Sequence, residues 1–356
     1  MSLPAASQRA IPRPHRRGFA LRTAGGLALL AGCIGVASSV GSTDVSLGEV
    51  AGVLGAHLPG GDPSTVPASI DAIVWQVRLP RVLLAALVGI GLSVSGALYQ
   101  SLLRNPLAEP YLLGVSSGAA LAAVTVSSTG LASGWAHALP ISAFVGALGA
   151  SAVIVALARV DGRLPVATLI LAGVALGAFL SSITAFVLIR GQGTSETFVL
   201  LGWLMGSLAR ADGAMLALLT PYVLVPLALS LPLVRWANLL LLGDQQARNL
   251  GVPVETARLA LLALAGVLAA ASVAGAGLVG FVGLVVPHAV RLVVGPDNRE
   301  LLPLAACGGG AFVVLCDALG RWLFAPLEVP VGIVTAMCGA PFFLWLLREK
   351  RAVTLE

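Results

Sequence analysis

From residue 19 onward the chain is a succession of long apolar runs separated by short polar segments. The clearest run lies between Arg81 and Arg104, where twenty-two residues carry no formal charge. At 1.5 Å of helical rise per residue, such a run crosses a hydrocarbon core of about 30 Å. The polar turn Arg104-Asn105-Pro106 ends it, and a second apolar run rich in glycine and serine starts after Pro110. Repeating this reasoning along the chain predicts ten membrane helices, at about residues 19–40, 82–103, 111–128, 138–158, 166–189, 214–234, 259–274, 278–294, 301–318 and 329–347. Between Arg258 and Arg291 thirty-two residues pass without a charge. As a single helix they would span about 48 Å and separate the two arginines across the membrane. A hairpin turning at Gly275-Ala276-Gly277 is the better reading, with Pro287 bending its second arm. Residues 196–208 are too few to cross and read as a helix lying at the outer interface.

The polar segments set the orientation. Residues 1–18 form a basic tail and 349–356 a second tail, flanking one all-α polytopic transmembrane domain over 19–348. The first apolar run resembles a secretory signal, but it is long and further spans follow, so it reads as an uncleaved first span. Residues 41–77 are rich in Gly, Pro, Ser and Asp with no Lys or Arg, and read as an external loop. With both termini inside, sixteen of the twenty-one basic residues fall on the cytoplasmic side, while the sixteen acids divide eight and eight. Only Lys and Arg are governed by the insertion rule, and only they are biased. The longest inner segment is 235–258, in which 238–250 suits one or two short helices broken at Gly243.

Composition agrees. Hydrophobic residues make up 58% of the chain and charged ones 10%, against about a quarter charged in soluble domains. Forty-two glycines suit helices that pack closely in lipid, and Gly173 with Gly177 make one small-residue pair. The net charge of +5 is spread over helix ends instead of clustering on one face, so it reports topology and not nucleic-acid binding. Cys33, Cys307, Cys316 and Cys338 lie inside apolar runs without CxxC spacing and read as small packing residues. His57 and His137 read as loop histidines, and no set of metal ligands is seen.

Uphill transport needs an energy source, and a phosphate-cradling loop needs GxxxxGK[ST]. The only lysine is Lys350, preceded by Glu349, so no ATP site is present in the sequence. None of the first eight predicted spans has a central Asp or Glu to couple to an ion; Asp317 lies near the outer end of the ninth, and His288, beside Pro287, near the inner end of the eighth. A motor must then dock from outside the chain. A secondary transporter or channel working without an ATPase is the rival reading.

Several segments resemble the permease subunits of ABC importers for ferric siderophores, haem and vitamin B12. They are Arg78-Leu79-Pro80-Arg81, Asn105-Pro106-Leu107-Ala108-Glu109-Pro110, Leu113-Gly114-Val115-Ser116-Ser117-Gly118, the run from Gly243 to Gly251, the run from Gly280 to His288, and Pro330-Val331-Gly332 with Gly339-Ala340-Pro341. The resemblance implies a type II importer permease of about ten helices that forms a homodimer. It implies two ATP-binding cassette subunits below and one periplasmic binding protein above, in the bacterial inner membrane. On that likeness Arg78, Arg81 and Arg321 face glutamates of the binding protein, while Asn105, Leu107 and a residue aligned at Val166 form the cytoplasmic gate. Gly243, Asp244, Gln245, Ala247, Arg248 and Gly251 belong to the coupling segment that meets the ATPase. The family can carry a small hydroxyl residue where this chain has Val166. The chain itself is implied to hold no cofactor and catalyse no reaction, ATP and Mg being bound by the ATPase. The segments LLRNPLAEP, SSGAAL and GAPFFLWLL resemble haem permeases slightly more than siderophore ones, with cobalamin third.

Overall fold

The computed structural model describes residues 16–353 apart from 42, 132–134, 136, 191–194, 324 and 326. Most of the first predicted tail and residues 354–356 of the second therefore lie outside the described residues, while 349–353 continue α14. The elements are α1 (Arg16–Ser39), α2 (Leu47–Ala56), α3 (Ala68–Asp71), α4 (Leu79–Leu102), α5 (Val115–Ser128), α6 (Ala138–Ala158), α7 (Val166–Arg190), α8 (Ser195–Leu204), α9 (Gly213–Leu240), α10 (Asp244–Asn249), α11 (Val254–Ala276), α12 (Val282–Val294), α13 (Asn298–Trp322) and α14 (Val331–Val353). Seven described helices are long and apolar enough to cross a membrane. Two predicted spans are shorter than expected: α5 has 14 residues and α12 has 13, about 21 and 20 Å of helix. Each is extended by non-helical backbone, the 3-10 turn Pro110–Leu113 before α5 and residues 277–281 before α12. The end of the bundle that carries Arg104, Asp244 and Asp297 is called the lower end, and that carrying Arg78 and Arg321 the upper.

Helix α4 is the axis of the fold. In the continuous helical segment that contains it, 89% of the most apolar stretch is buried, against 6% for α1 and 11% for α7. Helices α1 and α7 thus turn their apolar faces outward, and α4 is enclosed by α9, α11, α12 and α13. The tightest packing is against α13, where Gly89 and Gly309 face each other. A Cβ on Gly89 would stand 2.1 Å from the Gly309 carbonyl oxygen, and one on Gly309 would stand 2.3 Å from that of Gly89. Backbones can approach this closely only where both residues lack side chains.

The two irregular stretches inside the bundle hold each other. Tyr111 Oη donates to the Val279 carbonyl at 2.9 Å and accepts from the Val279 amide at 2.9 Å. Glu109 Oε1 accepts from the amide of Phe281, a non-glycine residue at φ +68°, and Gln100 donates to the carbonyls of Gly283 and Leu284. Backbone groups left over by short helices need such partners where water is scarce.

The segment 41–77, read as a loop, is largely helical. Ser46 and Glu49 make a capping box at the start of α2, whose hydrogen bonds hold the Glu49 carboxyl below its usual range. From Ala68, α3 and a π-helical stretch Ala72–Arg78 run without a break into α4. His57 is no exposed loop residue: its Nε2 lies 2.7 Å from Asp71 Oδ1 and its ring stacks on Trp75 at 3.9 Å.

The Gly89–Gly309 seam predicts a sharp contrast. Gly89→Val should lower the stability of the purified protein by roughly 1–3 kcal/mol through overpacking, read as a lower thermal midpoint in detergent. Gly149→Val, at a position with nothing within 4 Å of a new Cβ, should leave that midpoint near the wild-type value.

Candidate functional sites at the two ends of the bundle

At the upper end the structure places Arg81 and Arg321 on one carboxylate, while Arg78, like Arg321, bonds backbone carbonyls around the end of α1. Asp317, on α13, is only 2% exposed. Its Oδ1 accepts from Arg81 Nε and Nη2 at 3.1 and 2.9 Å, and its Oδ2 accepts from Arg321 Nε at 3.0 Å, one helical turn on. Arg321 also donates to the carbonyls of Ala37 and Val40, and Arg78 to those of Ser38, Ser39 and Thr43. Two of the three arginines therefore spend their donors tying down the last turn of α1. Both are buried, at 6% exposure each. Arg81 differs, since its Nη1 donates at 2.7 Å to Glu328, whose side chain is 49% exposed. Sequence reasoning found the three arginines and placed Asp317, but it missed that Asp317 joins two of them; a carboxylate four residues before an arginine in an apolar run is the signal that points to it.

At the lower end, α9 runs to Leu240, so the inner segment read as 235–258 narrows to 241–253. Gly243 has φ +102°, a conformation that favours glycine, and an added Cβ would come within 3.3 Å of Arg104 Nη1. Asp244 opens α10, Ala247 is buried, and Gln245, Arg248 and Gly251 are exposed. Leu241, Leu242 and Leu250, all exposed, flank the short helix. Arg248 bonds Glu255 at 3.0 Å.

Asp244 itself takes two arginines. Its Oδ1 accepts from Arg104 Nη2 at 3.1 Å and from Arg258 Nη2 at 2.8 Å, and its Oδ2 lies 3.0 Å from the same Arg258 nitrogen. The other arm of Arg258, Nη1, donates to the Leu164 carbonyl at 2.7 Å. Arg104 and Arg258 served in the sequence only as brackets of apolar runs, and their shared partner was not foreseen.

The predicted gate residues fall beside these groups. Asn105 forms a turn in which its Oδ1 accepts from the Leu107 amide at 2.9 Å, and Leu107 is 39% exposed. Val166 opens α7, and with Leu164 it borders a cleft lined by Leu102 and Leu103, just before Asn105. Nearby, Ser101 donates to the buried Asn298, which donates in turn to Asn238 at the lower end of α9. His288 is buried on α12 next to Pro287. Among the described residues no group of three or more His, Cys, Asp or Glu is arranged to hold a metal ion.

Comparison with known proteins places this architecture. The chain is 45% identical over 290 residues to the cobalamin import system permease protein BtuC of Halobacterium salinarum, covering 82% of this chain and 77% of that one. It is 43% identical over 285 residues to the hemin transport system permease protein HmuU of Yersinia pestis, covering 78% and 84%. A solved structure described as an inward-facing conformation of a metal-chelate type ABC transporter matches with a TM-score of 0.79 at 28% identity, over 93% of this chain and 99% of that one. Since residues 27–349 also match the family model described as the FecCD transport family, the chain belongs to that family, and it is a multi-pass permease subunit of a type II ABC importer.

Proposed function

We propose that two copies of this chain form the pathway of an importer that moves an iron chelate or a corrinoid from the periplasm to the cytoplasm. In this reading the lower end is cytoplasmic and receives two ATPase subunits, the upper end receives a binding protein, and the membrane is the bacterial inner membrane. The observation that carries it is the lower face: a short helix held at its base by ion pairs and flanked by exposed Leu241, Leu242 and Leu250. Apolar side chains projecting beyond the membrane domain need a partner groove, and a chain without a phosphate-binding loop needs that partner's energy. The bias of Lys and Arg supports the orientation. The exposed apolar face of α7, with Leu171, Val174, Phe179 and Phe186, supports a second copy as its cover.

For cargo we place haem first, ferric siderophores second and cobalamin third. The hemin and cobalamin permeases resemble the chain about equally, so the cargo is decided by uptake and not by likeness. The assay is ATP-dependent accumulation of haem, a ferric siderophore and cobalamin in proteoliposomes holding this chain, its ATPase and the matching binding protein. Accumulation of any of these by the chain without an ATPase would overturn the reading.

At the docking rim we assign Arg81 as the donor that reaches a carboxylate of the binding protein, with Arg78 and Arg321 holding the rim in shape. Arg81→Gln should weaken capture of the binding protein about ten-fold with ATPase assembly unchanged, the size of one desolvated ion pair, and should also lower the thermal midpoint, because Asp317 loses the two bonds that Arg81 donates. Arg78→Gln and Arg321→Gln should lower the thermal midpoint, by roughly 2–4 kcal/mol of stability, because buried carbonyls, and for Arg321 also Asp317, lose their donors, while capture by the folded protein changes less than in Arg81→Gln. At the other face, Leu242→Glu with Leu250→Glu should abolish co-purification with the ATPase and leave the midpoint within a few degrees; retained assembly would remove the coupling assignment.

A further inference from the structure

The coupling helix and both flanks of the cytoplasmic gate meet at a single side chain. Asp244 is the first residue of α10. One of its partners, Arg104, immediately precedes Asn105, and the other, Arg258, grips the carbonyl of Leu164, two residues before Val166. Helix α10 thus has a bonded route to each of the two segments that carry the proposed gate. The amide of Leu164 is held as well, by Glu255 Oε2 at 3.3 Å, and Glu255 pairs with Arg248 at the far end of α10.

The chemistry of Arg258 makes this connection stiff. Its side chain is 5% exposed, and a guanidinium taken out of water is held wherever its hydrogen bonds are met. The planar fork fixes the angle between its two arms: one lies on the Asp244 carboxylate and the other on a backbone carbonyl. Displacing α10 therefore drags Arg258 and the Leu164 backbone with it, or breaks charge-assisted bonds in a poorly solvated place. Arg104 is the softer arm. Its side chain is 39% exposed, so water and salt compete for its bond to Asp244. It sits at φ +49°, a sparsely populated conformation for a residue with a Cβ, at the point where α4 gives way to the Asn105 turn. Gly243 leaves the room that Arg104 occupies.

We propose that Asp244, Arg104 and Arg258 form a three-way ionic joint that carries movement of the coupling helix to both flanks of the gate, with Arg104 and Arg258 as its positioning residues. The proposal deepens the permease reading above and rests on it. The joint assigns unequal parts: Arg258 sets the position of the segment leading into α7, and Arg104 sets that of the turn after α4.

The test uses the full complex of this chain, its ATPase and its binding protein in proteoliposomes, with spin labels at Leu107 and Val166. Three readings are taken on each variant: ATP hydrolysis, uptake of the cargo that the wild type accumulates, and the change in label separation on adding a non-hydrolysable ATP analogue. Arg104→Gln, at an exposed site, should leave assembly and hydrolysis within about two-fold of wild type while uptake per ATP falls about five-fold or more, at the lower end of coupling strengths between linked sites. Arg258→Gln should abolish the nucleotide-dependent change in label separation, and Arg258→Lys, which keeps the charge but not the fork, should restore part of it. Wild-type uptake and label response in both glutamine variants would overturn the joint. So would loss of assembly in Arg258→Gln alongside wild-type coupling in Arg104→Gln, which would leave Arg258 a purely structural role. A wild-type complex with no ATP-dependent uptake of any of the three cargoes would instead sink the permease reading, and the joint with it.

Discussion

Asp317 lies almost wholly out of water between Arg81 of α4 and Arg321 of α13, and the register of the central helices depends on that contact. Surfaces made of Leu, Val, Ala and Gly slide past one another with little penalty in lipid, because lipid tails are as apolar as the side chains. A carboxylate that must meet two guanidinium groups does not slide: removing either partner strips a buried charge of part of its compensation, which is costly. Below this fixed point the Gly89–Gly309 contact sets how closely α4 and α13 approach. A second polar knot, Ser101 with Asn298 and Asn238, fixes their lower ends. The axis of the molecule is pinned top and bottom by polar groups and spaced by glycine between them.

The short helices α5 and α12 follow from the same scarcity of water. The backbone left over before α12 finds its partners in side chains just before α5: Glu109 takes the Phe281 amide, and Tyr111 takes both the amide and the carbonyl of Val279. Two of the sequence segments that carried the family resemblance, 105–110 and 280–288, are thus neighbours in space.

Much of this was readable in the chain. Each of the ten apolar runs contains an α-helix, seven of them long and apolar enough to cross a membrane, because the run length and charge bracketing that define a span act locally. Three things were not readable. The helicity of 47–56 and 68–78 is hidden because its stabilising contacts, such as His57 with Asp71 and Trp75, cover at most 18 residues of a polar, glycine-rich stretch. The shortness of α12 is hidden because Gly277 to Phe281 is as apolar as the helix it replaces. The ion pairs are hidden because Arg104 and Asp244 stand 140 residues apart, and Arg81 and Asp317 stand 236 apart. A charge at the end of an apolar run announces that it needs water, a headgroup or a partner. Only the packing of the helices decides which.

The two ends also differ in how firmly they are held. At the upper end Arg78 and Arg321 are buried, and each makes several bonds to the backbone of the last turn of α1 and the segment after it. At the lower end Asp244 keeps 36% of its side chain in solvent, and one of its two partners, Arg104, keeps 39%. Opening a half-solvated ion pair replaces its bonds with water, whereas opening the upper cluster would strand buried charges. Local opening draws on the least protected contacts, so rearrangement is cheaper at the lower end than at the upper one. The upper cluster, by the same reasoning, behaves as a rigid rim against which the lower end can move.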